Sequence, residues 1–281
     1  MDAQAEYDNR ARVPGSAELL ARWQRDAAAF REAWPESDLG LAYGPGKREK
    51  LDLFRPEGGG NTPLAIFIHG GYWQGLDRTF CSHFAHGLLQ RGVAVAVPSY
   101  ELAPAVPISR MVEQMRAATA FLFRRLKRRP LVTGHSAGGH LAAMLMATDW
   151  RATLPGMPQD LTPACLPISG VFELEPLMPT TIAKALRLRP EDARRLSPRH
   201  MKPPSFTSHH LITPGAGLHC VVGAAESGEF IRQSRDFAAA WGGSFEALTG
   251  RNHFTVLDPL LDARSPLTTR AADMASLLAP G

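Results

Sequence analysis

The stretch PLVTGHSAGGHLAAM, residues 130–144, joins an apolar run of strand length to a segment rich in small, helix-forming residues. Between the two lies Gly-His-Ser-Ala-Gly. The pattern Gly-x-Ser-x-Gly is common by itself, but its position between a strand and a helix is typical of a sharp turn that exposes a serine nucleophile. Gly134 and Gly138 would let the strand and the helix approach, and the helix dipole would lie beneath the serine. We therefore predict Ser136 as a nucleophile; the alternative is a plain Gly/Ser turn that caps a helix.

Apolar runs of strand length and amphipathic stretches alternate on both sides of this turn. The predicted strands are 50–56, 63–69, 93–100, 130–136, 164–170, 218–225 and 244–250, and the predicted helices are 16–34, 82–92, 108–128, 137–150, 229–243 and 267–279. Such alternation predicts an α/β fold, with a mostly parallel central sheet and helices on both faces. The GGGN stretch at 58–61 is typical of a hairpin loop.

The alternation is interrupted after the strand at 164–170, where the chain becomes rich in proline, arginine and leucine. This composition predicts short helices inserted above the sheet, a small helical lid-like insertion at about 171–217, and not a second domain. The chain contains no internal repeat and no low-complexity linker. We therefore expect one domain over residues 1–281.

Composition excludes several classes of protein. Of the 281 residues, 44% are hydrophobic and 21% charged, the net charge is +4, and no window resembles a membrane span or a signal peptide. The basic run at 123–130 lacks interleaved aromatic residues and is typical of a solvated helix end, so no nucleic-acid partner is expected. Three widely spaced cysteines, Cys81, Cys165 and Cys220, predict reduced thiols and a cytoplasmic location.

A serine hydroxyl needs a base, and the base needs a third group that orients it. With this kind of turn the chain order is serine, acid, histidine. His253 follows the last predicted strand and is the predicted base. Glu226 is the first carboxylate after the strand at 218–225 and is the predicted acid, with Glu229 as the alternative; both could instead be acids that decorate a helix N-terminus.

The other histidines fit catalysis less well. His135 and His140 flank the serine and are predicted to pack around it. The adjacent pair His209–His210 lacks the spacing of metal ligands and has no companion cluster, so no metal site is expected.

The segment FIHGGYWQGLDR, residues 67–78, places two glycines and two aromatic residues after a buried strand. Acyl transfer passes through an oxyanion, which backbone N–H groups stabilise best where no side chain crowds them. We predict that Gly70 and Gly71 supply such donors, together with the N–H of Ala137. Tyr72 and Trp73 would then form an aromatic wall beside the substrate; the alternative is that they pack the loop onto the core.

Several segments together resemble one family. EYDNRARVP (6–14), HGGYWQ (69–74), GHSAGGHLAAM (134–144), SGVFELEPL (169–177) and ESGEFIRQS (226–234) are similar to segments of the α/β-hydrolase arylformamidases, the kynurenine formamidases, and of their esterase-like bacterial relatives. The likeness covers nearly the whole chain, and HGGYW with EFIRQS is its most specific part.

This resemblance implies the α/β-hydrolase fold and assigns the same residues to catalysis. The implied triad is Ser136, His253 and Glu226, and the implied oxyanion donors are Gly70, Gly71 and Ala137. The chain departs from the family at two points: Glu226 stands where an aspartate is usual, and the insertion has Glu173 and no asparagine in TTIAKAL.

The sequence thus predicts a cofactor-independent serine hydrolase that acts on a small molecule, an aryl formamide such as N-formyl-L-kynurenine. An alternative is a carboxylesterase, amidase or carbamate hydrolase of the same fold. A binding protein that has lost catalysis is a third hypothesis, which the presence of both Ser136 and His253 disfavours. A homodimer is left open.

Overall fold

Eight strands form one sheet in the computed structural model, which describes residues 2–203 and 217–278. The strands are β1 (Ser37–Ala42), β2 (Lys50–Phe54), β3 (Leu64–Ile68), β4 (Ala94–Pro98), β5 (Leu131–His135), β6 (Ala164–Ile168), β7 (His219–Gly223) and β8 (Ser244–Leu248). Their order is β1-β2-β4-β3-β5-β6-β7-β8, and only the β1–β2 and β2–β4 pairs are antiparallel. The predicted α/β class with a mostly parallel sheet is therefore confirmed.

Helices connect the strands and precede the first of them. They are α1 (Ala3–Tyr7), α2 (Asn9–Arg12), α3 (Ser16–Ala33), α4 (His86–Gln90), α5 (Ile108–Leu126), α6 (Ala137–Met146), α7 (Trp150–Thr153), α8 (Thr181–Leu186), α9 (Pro190–Arg195), α10 (Gly228–Trp241) and α11 (Pro266–Ser276). Short 3-10 turns lie at Arg78–Phe80, Ser82–Ala85, Glu175–Leu177, Pro198–His200 and Thr255–Leu261. No helix in the described ranges is both long and apolar enough to cross a membrane.

The central strands are buried on both faces because their side chains alternate between two apolar cores. In β3, Ile66 and Ile68 belong to the core that includes α5, α6 and α10, whereas Ala65 and Phe67 belong to the core that includes α3, α4 and α11. This double burial explains why the strand appears in the sequence as a continuous apolar run.

The start of the sheet differs from the sequence prediction in two ways. The edge strand β1, at residues 37–42, was not among the predicted strands, because its half-exposed residues lack the apolar run of a central strand. The loop at 58–61 does not close a hairpin, because β2 pairs with β4 and the chain crosses β4 to reach β3. Strand pairing of this kind depends on contacts far apart in the chain.

The chain between β6 and β7 forms short helices instead of another strand–helix unit. Its first part carries Phe172, Leu174 and Leu177 into the apolar core that includes α6 and α10. Residues 204–216 of the expected insertion, including the His209–His210 pair, lie outside the described residues.

Candidate active site

Ser136 lies between β5 and α6, with φ 56° and ψ −119°. A non-glycine residue rarely adopts this backbone conformation, and the neighbouring glycines are what allow it here. A Cβ on Gly138 would overlap the carbonyl oxygen of Ile68, and a Cβ on Gly134 would lie 2.5 Å from the oxygen of Gly138. The close approach of strand and helix that the sequence predicted is therefore a property of the structure.

The carboxylate of Glu226 receives three hydrogen bonds at the end of β7. Its Oε2 lies 2.6 Å from His253 Nδ1, and its Oε1 accepts bonds from Ser169 Oγ at 2.6 Å and from the Gly223 N–H at 2.7 Å. The side chain of Glu226 is fully buried, so these donors replace its water. The arrangement holds His253 in the tautomer whose Nε2 can accept a proton.

The alternative acid, Glu229, has different partners. Its carboxylate accepts a hydrogen bond from Tyr7 Oη at 2.8 Å and pairs with Arg232 Nε at 2.7 Å. Glu229 therefore joins α10 to α1, whereas Glu226 contacts the histidine.

Ser169 is a site residue that the sequence analysis did not single out. It follows β6 with φ 51°, and its N–H donates to Val221 O at 2.7 Å, so that its hydroxyl reaches Glu226. A serine before a glycine at a strand end was the available signal, but its partner 57 residues later was visible only in the fold.

Ser136 and His253 both line a cavity of about 390 Å³, within the size range of small-molecule sites. Among the described residues no hydrogen bond joins Ser136 Oγ to the imidazole. Catalytic hydrogen bonds are often long or poorly aligned without substrate, so the missing bond does not exclude the pair from catalysis.

His135 and His140 pack around the serine, as the sequence indicated. The Nε2–H of His135 donates to His253 O at 2.7 Å, and the two rings lie 4.6 Å apart. Burial holds the pKa of His135 well below its usual value, so the ring is neutral beside His253. Burial also lowers the pKa of His140 to about 4, and its Nε2–H donates to Leu196 O at 2.7 Å.

The loop after β3 is strained. Gly71, Tyr72 and Trp73 have φ values of 101°, 49° and 57°, and the last two are not glycines. The carbonyl of Gly71 accepts hydrogen bonds from the N–H groups of Gln74 and Gly75 at 2.9 and 3.0 Å, which stabilise the turn. Strain of this kind concentrates at functional sites.

The predicted oxyanion donors have free N–H groups. Within residues 2–203 and 217–278, the N–H groups of Gly70, Gly71 and Ala137 donate to no protein acceptor. Of these three residues, Gly71 lines the cavity, whereas Gly70 and Ala137 do not. The N–H of Tyr72 is also free of a described acceptor, and Tyr72 lines the cavity as well.

The two aromatic residues of the loop diverge. Tyr72 lines the cavity, and its role in binding substrate stays a prediction. The expectation that Trp73 forms part of the same wall was wrong: its side chain is fully buried, does not line the cavity, and meets His140 edge-on at 5.1 Å. Two successive residues with positive φ send their side chains in different directions, so Trp73 anchors the loop to the core.

The N-terminal segment forms part of the cavity wall, a role that the sequence analysis did not foresee. Gln4, Tyr7, Asp8, Asn9 and Arg10 line the cavity together with Tyr72. The Tyr72 hydroxyl donates to Tyr7 O at 2.5 Å and accepts from Asn9 Nδ2 at 3.2 Å. The conspicuous Tyr-Asp-Asn-Arg run was the available signal.

No group of three or more His, Cys, Asp or Glu side chains with the geometry of a metal site occurs in the described part of the chain. All three cysteines lie in that part; they are buried and form no disulfide.

Comparison with the sequences of known proteins shows which family the chain belongs to. The chain is 30% identical to the kynurenine formamidase of Danio rerio and 31% identical to that of Salmo salar, in each case over 82% of this chain and 79% of the relative. The chain belongs to the kynurenine formamidase family. The family model BD-FAE also matches residues 51–164, which contain nearly all of β2, the strands β3 to β5 and the turn at Ser136.

Solved structures agree with the fold of this family member. A crystal structure from Silicibacter sp. TM1040, described as a candidate thioesterase, is 33% identical, with a TM-score of 0.87 over 96% of this chain and 99% of that one. A thermostable carboxylesterase from a metagenomic library is 20% identical, with a TM-score of 0.69 over 94% and 96% of the two chains. The protein is an α/β-hydrolase of the formamidase and esterase kind, a hydrolase that acts on amides or esters.

Proposed function

We propose that this enzyme removes the formyl group from an aryl formamide such as N-formyl-L-kynurenine by means of a Ser136–His253–Glu226 triad. The observation that carries the proposal is the 2.6 Å contact between His253 Nδ1 and the buried Glu226 carboxylate, beside a cavity that Ser136 lines. The kynurenine formamidase relatives support this choice of substrate.

In the proposed reaction Ser136 Oγ attacks the formyl carbon while His253 Nε2 takes its proton. Glu226 stabilises the imidazolium that forms. The N–H groups of Gly70, Gly71 and Ala137, the three predicted donors, would receive the oxyanion; one such donor contributes about 3 kcal/mol to transition-state stability.

Collapse of the tetrahedral intermediate releases the arylamine, which takes its proton from His253. The aryl ring delocalises the nitrogen lone pair and makes this leaving group easier to expel than an alkylamine. Water then attacks the formyl-serine with His253 again as base, and formate leaves. These steps need no cofactor.

An ester or thioester substrate is the second candidate, because the Silicibacter structure is described as a candidate thioesterase. Esters and formamides share the tetrahedral intermediate, so the triad itself does not discriminate between them.

The predicted cytoplasmic location is compatible with the three buried thiols, and the homodimer and the lack of a nucleic-acid partner stay predictions.

The test is hydrolysis of N-formyl-L-kynurenine beside p-nitrophenyl acetate, with Ser136→Ala as the blank. We expect kcat/KM above about 10⁴ M⁻¹s⁻¹ for the formamide and a lower value for the ester. Rapid ester cleavage without deformylation would move the substrate to the second candidate. A fluorophosphonate that labels the wild type but not Ser136→Ala would assign the nucleophile, and an unlabelled wild type would contradict both candidates.

A further inference from the structure

The proposed reaction leaves His135, a buried titratable residue of the cavity wall, without a role. His135 lines the cavity beside Ser136, its neighbour in the chain, and its ring lies 4.6 Å from the ring of His253. The side chain is neither part of the proposed triad nor one of the predicted oxyanion donors. A polar ring this close to the reacting atoms can contact the substrate itself.

The two nitrogens of the His135 ring differ in what they can bind. Nε2 lies 2.7 Å from His253 O, and because a carbonyl oxygen only accepts hydrogen bonds, Nε2 carries the proton. Burial holds the pKa of His135 well below its usual value, so the ring stays neutral and Nδ1 keeps a free lone pair. Nδ1 is therefore a hydrogen-bond acceptor.

This acceptor has no partner in the described part of the chain. No donor within residues 2–203 and 217–278 reaches His135 Nδ1. The atom also keeps accessible surface, unlike the Nδ1 of His140, which is enclosed and unpaired. Because His135 lines the cavity, a donor on a bound substrate can approach Nδ1 from there.

Gly70 allows Nδ1 to lie close to the serine. A Cβ on Gly70 would lie 3.0 Å from Ser136 Cβ and 3.3 Å from His135 Nδ1, so these two side chains flank the same small space. In the proposed reaction the scissile nitrogen takes its proton from His253, so it must lie within hydrogen-bond distance of that ring. It then also lies near the ring of His135, since the two rings are neighbours.

We propose that His135 Nδ1 accepts a hydrogen bond from the N–H of the scissile formamide and so favours the cleavage of amides over esters. In the tetrahedral intermediate the nitrogen carries one hydrogen and one lone pair, and the lone pair must face His253 to take its proton. The hydrogen then points elsewhere, and an acceptor placed there lowers the energy of this arrangement. The corresponding oxygen of an ester carries no hydrogen and gains nothing. This inference rests on the proposed function and deepens it, since it names a group that selects the scissile bond.

Two substitutions separate this contact from the bond that His135 makes to His253 O. The amide of a glutamine reaches the position of Nε2, and the amide of an asparagine reaches the position of Nδ1. His135→Gln should therefore keep a donor for His253 O and lose the acceptor, whereas His135→Asn should do the opposite. His140→Gln is the matched control, because His140 also donates to a backbone oxygen but does not line the cavity.

The substrates are formanilide and phenyl formate, which have the same acyl and aryl groups and differ only in N–H against O. We expect His135→Gln to lower the ratio of kcat/KM for formanilide to that for phenyl formate about tenfold, the size expected of one hydrogen bond. His135→Asn should lower both values, since His253 is held less well, and should keep their ratio. His140→Gln should also keep the ratio.

A binding measurement adds a test that needs no variant of His135. In Ser136→Ala, which cannot form the acyl-enzyme, formanilide should bind severalfold more tightly than N-methylformanilide, which lacks the N–H. Isothermal titration calorimetry would measure both dissociation constants. Combining His135→Gln with Ser136→Ala should remove this preference, which separates the hydrogen bond from the bulk of the methyl group.

An unchanged ratio in His135→Gln would overturn the inference, and so would an equal fall of kcat/KM for both substrates in that variant. Equal affinity of Ser136→Ala for the two amides would contradict it even if the His135 variants did not fold. The proposed function fails by a different result. A protein that prefers the ligand with the N–H but does not deformylate N-formyl-L-kynurenine would retain the acceptor at His135 and lose the formamidase reaction.

Discussion

The two walls of the cavity are built by different forces. On the sheet side, backbone geometry positions the groups: Ser136 occupies a strained turn, and Glu226 is held by an N–H at the end of β7. At the N-terminal wall, side-chain hydrogen bonds join the N-terminal segment to the loop after β3 and to α10 through Tyr7 and Tyr72.

This difference between the two walls suggests that the catalytic groups and the groups that select the substrate tolerate substitution differently. Backbone constraints around Ser136 leave little room for substitution, because an added methyl group there overlaps main-chain atoms. Single side-chain hydrogen bonds each contribute about 1 kcal/mol, so the N-terminal wall can change by small steps. We expect substitutions on the sheet side to abolish activity and substitutions on the other side to alter substrate affinity.

The largest effect should come from Gly138→Ala. The new Cβ would overlap Ile68 O, and the backbone on both sides cannot yield, so we expect a loss of about 3 kcal/mol or more in the free energy of unfolding. Urea denaturation would measure it. Gly228→Ala is the matched control, because its Cβ meets only the flexible end of Glu6 at 3.5 Å. Equal stability of the two variants would contradict the distinction between rigid and adaptable regions.

Glu226→Ala should reduce kcat by about 10³-fold with little change in KM, as expected when the group that orients a catalytic histidine is lost. Ser169→Ala, which removes one of three donors to the carboxylate, should cost less. Glu229→Ala is the control, since it breaks contacts to Tyr7 and Arg232 and leaves His253 untouched. If Glu229→Ala lowered kcat more than Glu226→Ala, the assignment of the acid would be wrong.

Acid should destabilise the protein as two buried histidines, His69 and His140, become protonated. Burial lowers the pKa of His69 and of His140 to about 4, below the usual value of about 6.5 in an unfolded chain. The unfolded chain therefore binds more protons between pH 6.5 and 4, and stability that is present above pH 6.5 is lost as the pH falls through this window. Thermal unfolding at several pH values would show it.

The variant His140→Gln makes this pH prediction specific. It removes one titrating group while leaving a side chain that can donate to Leu196 O. We expect its Tm to depend less steeply on pH between 6.5 and 4 than that of the wild type. An unchanged slope would mean that His140 does not contribute.

The smallest effect should come from Tyr72→Phe. Loss of the hydroxyl removes the bonds to Tyr7 O and Asn9 Nδ2 and loosens the N-terminal wall, so we expect KM to rise by a few-fold with kcat nearly unchanged. Tyr43→Phe removes a hydroxyl that donates to Ser99 O, away from the cavity, and should leave KM unaltered. A large fall in kcat for Tyr72→Phe would show that this wall takes part in the chemistry.

Local patterns in the chain were enough for the seven strands β2 to β8 and for most of the proposed catalytic groups. The apolar runs marked the buried strands. The Gly-x-Ser-x-Gly turn and the chain order singled out Ser136, Glu226 and His253. The choice between Glu226 and Glu229 stayed open. Trp73 was misassigned because the sequence does not report the direction of a side chain in a loop with positive φ. The edge strand β1 was missed because its half-exposed residues carry no apolar run.

What the sequence by itself determined is therefore what depends on neighbouring residues: the periodicity of strands and helices, and the glycines around a strained serine. Only the tertiary structure decided which carboxylate meets His253, that Ser169 supports it, and that Asn9 and Arg10 line the cavity. These contacts join residues distant in the chain, and their partners are selected by the packing of whole elements. Local sequence patterns do not predict how these elements pack against one another.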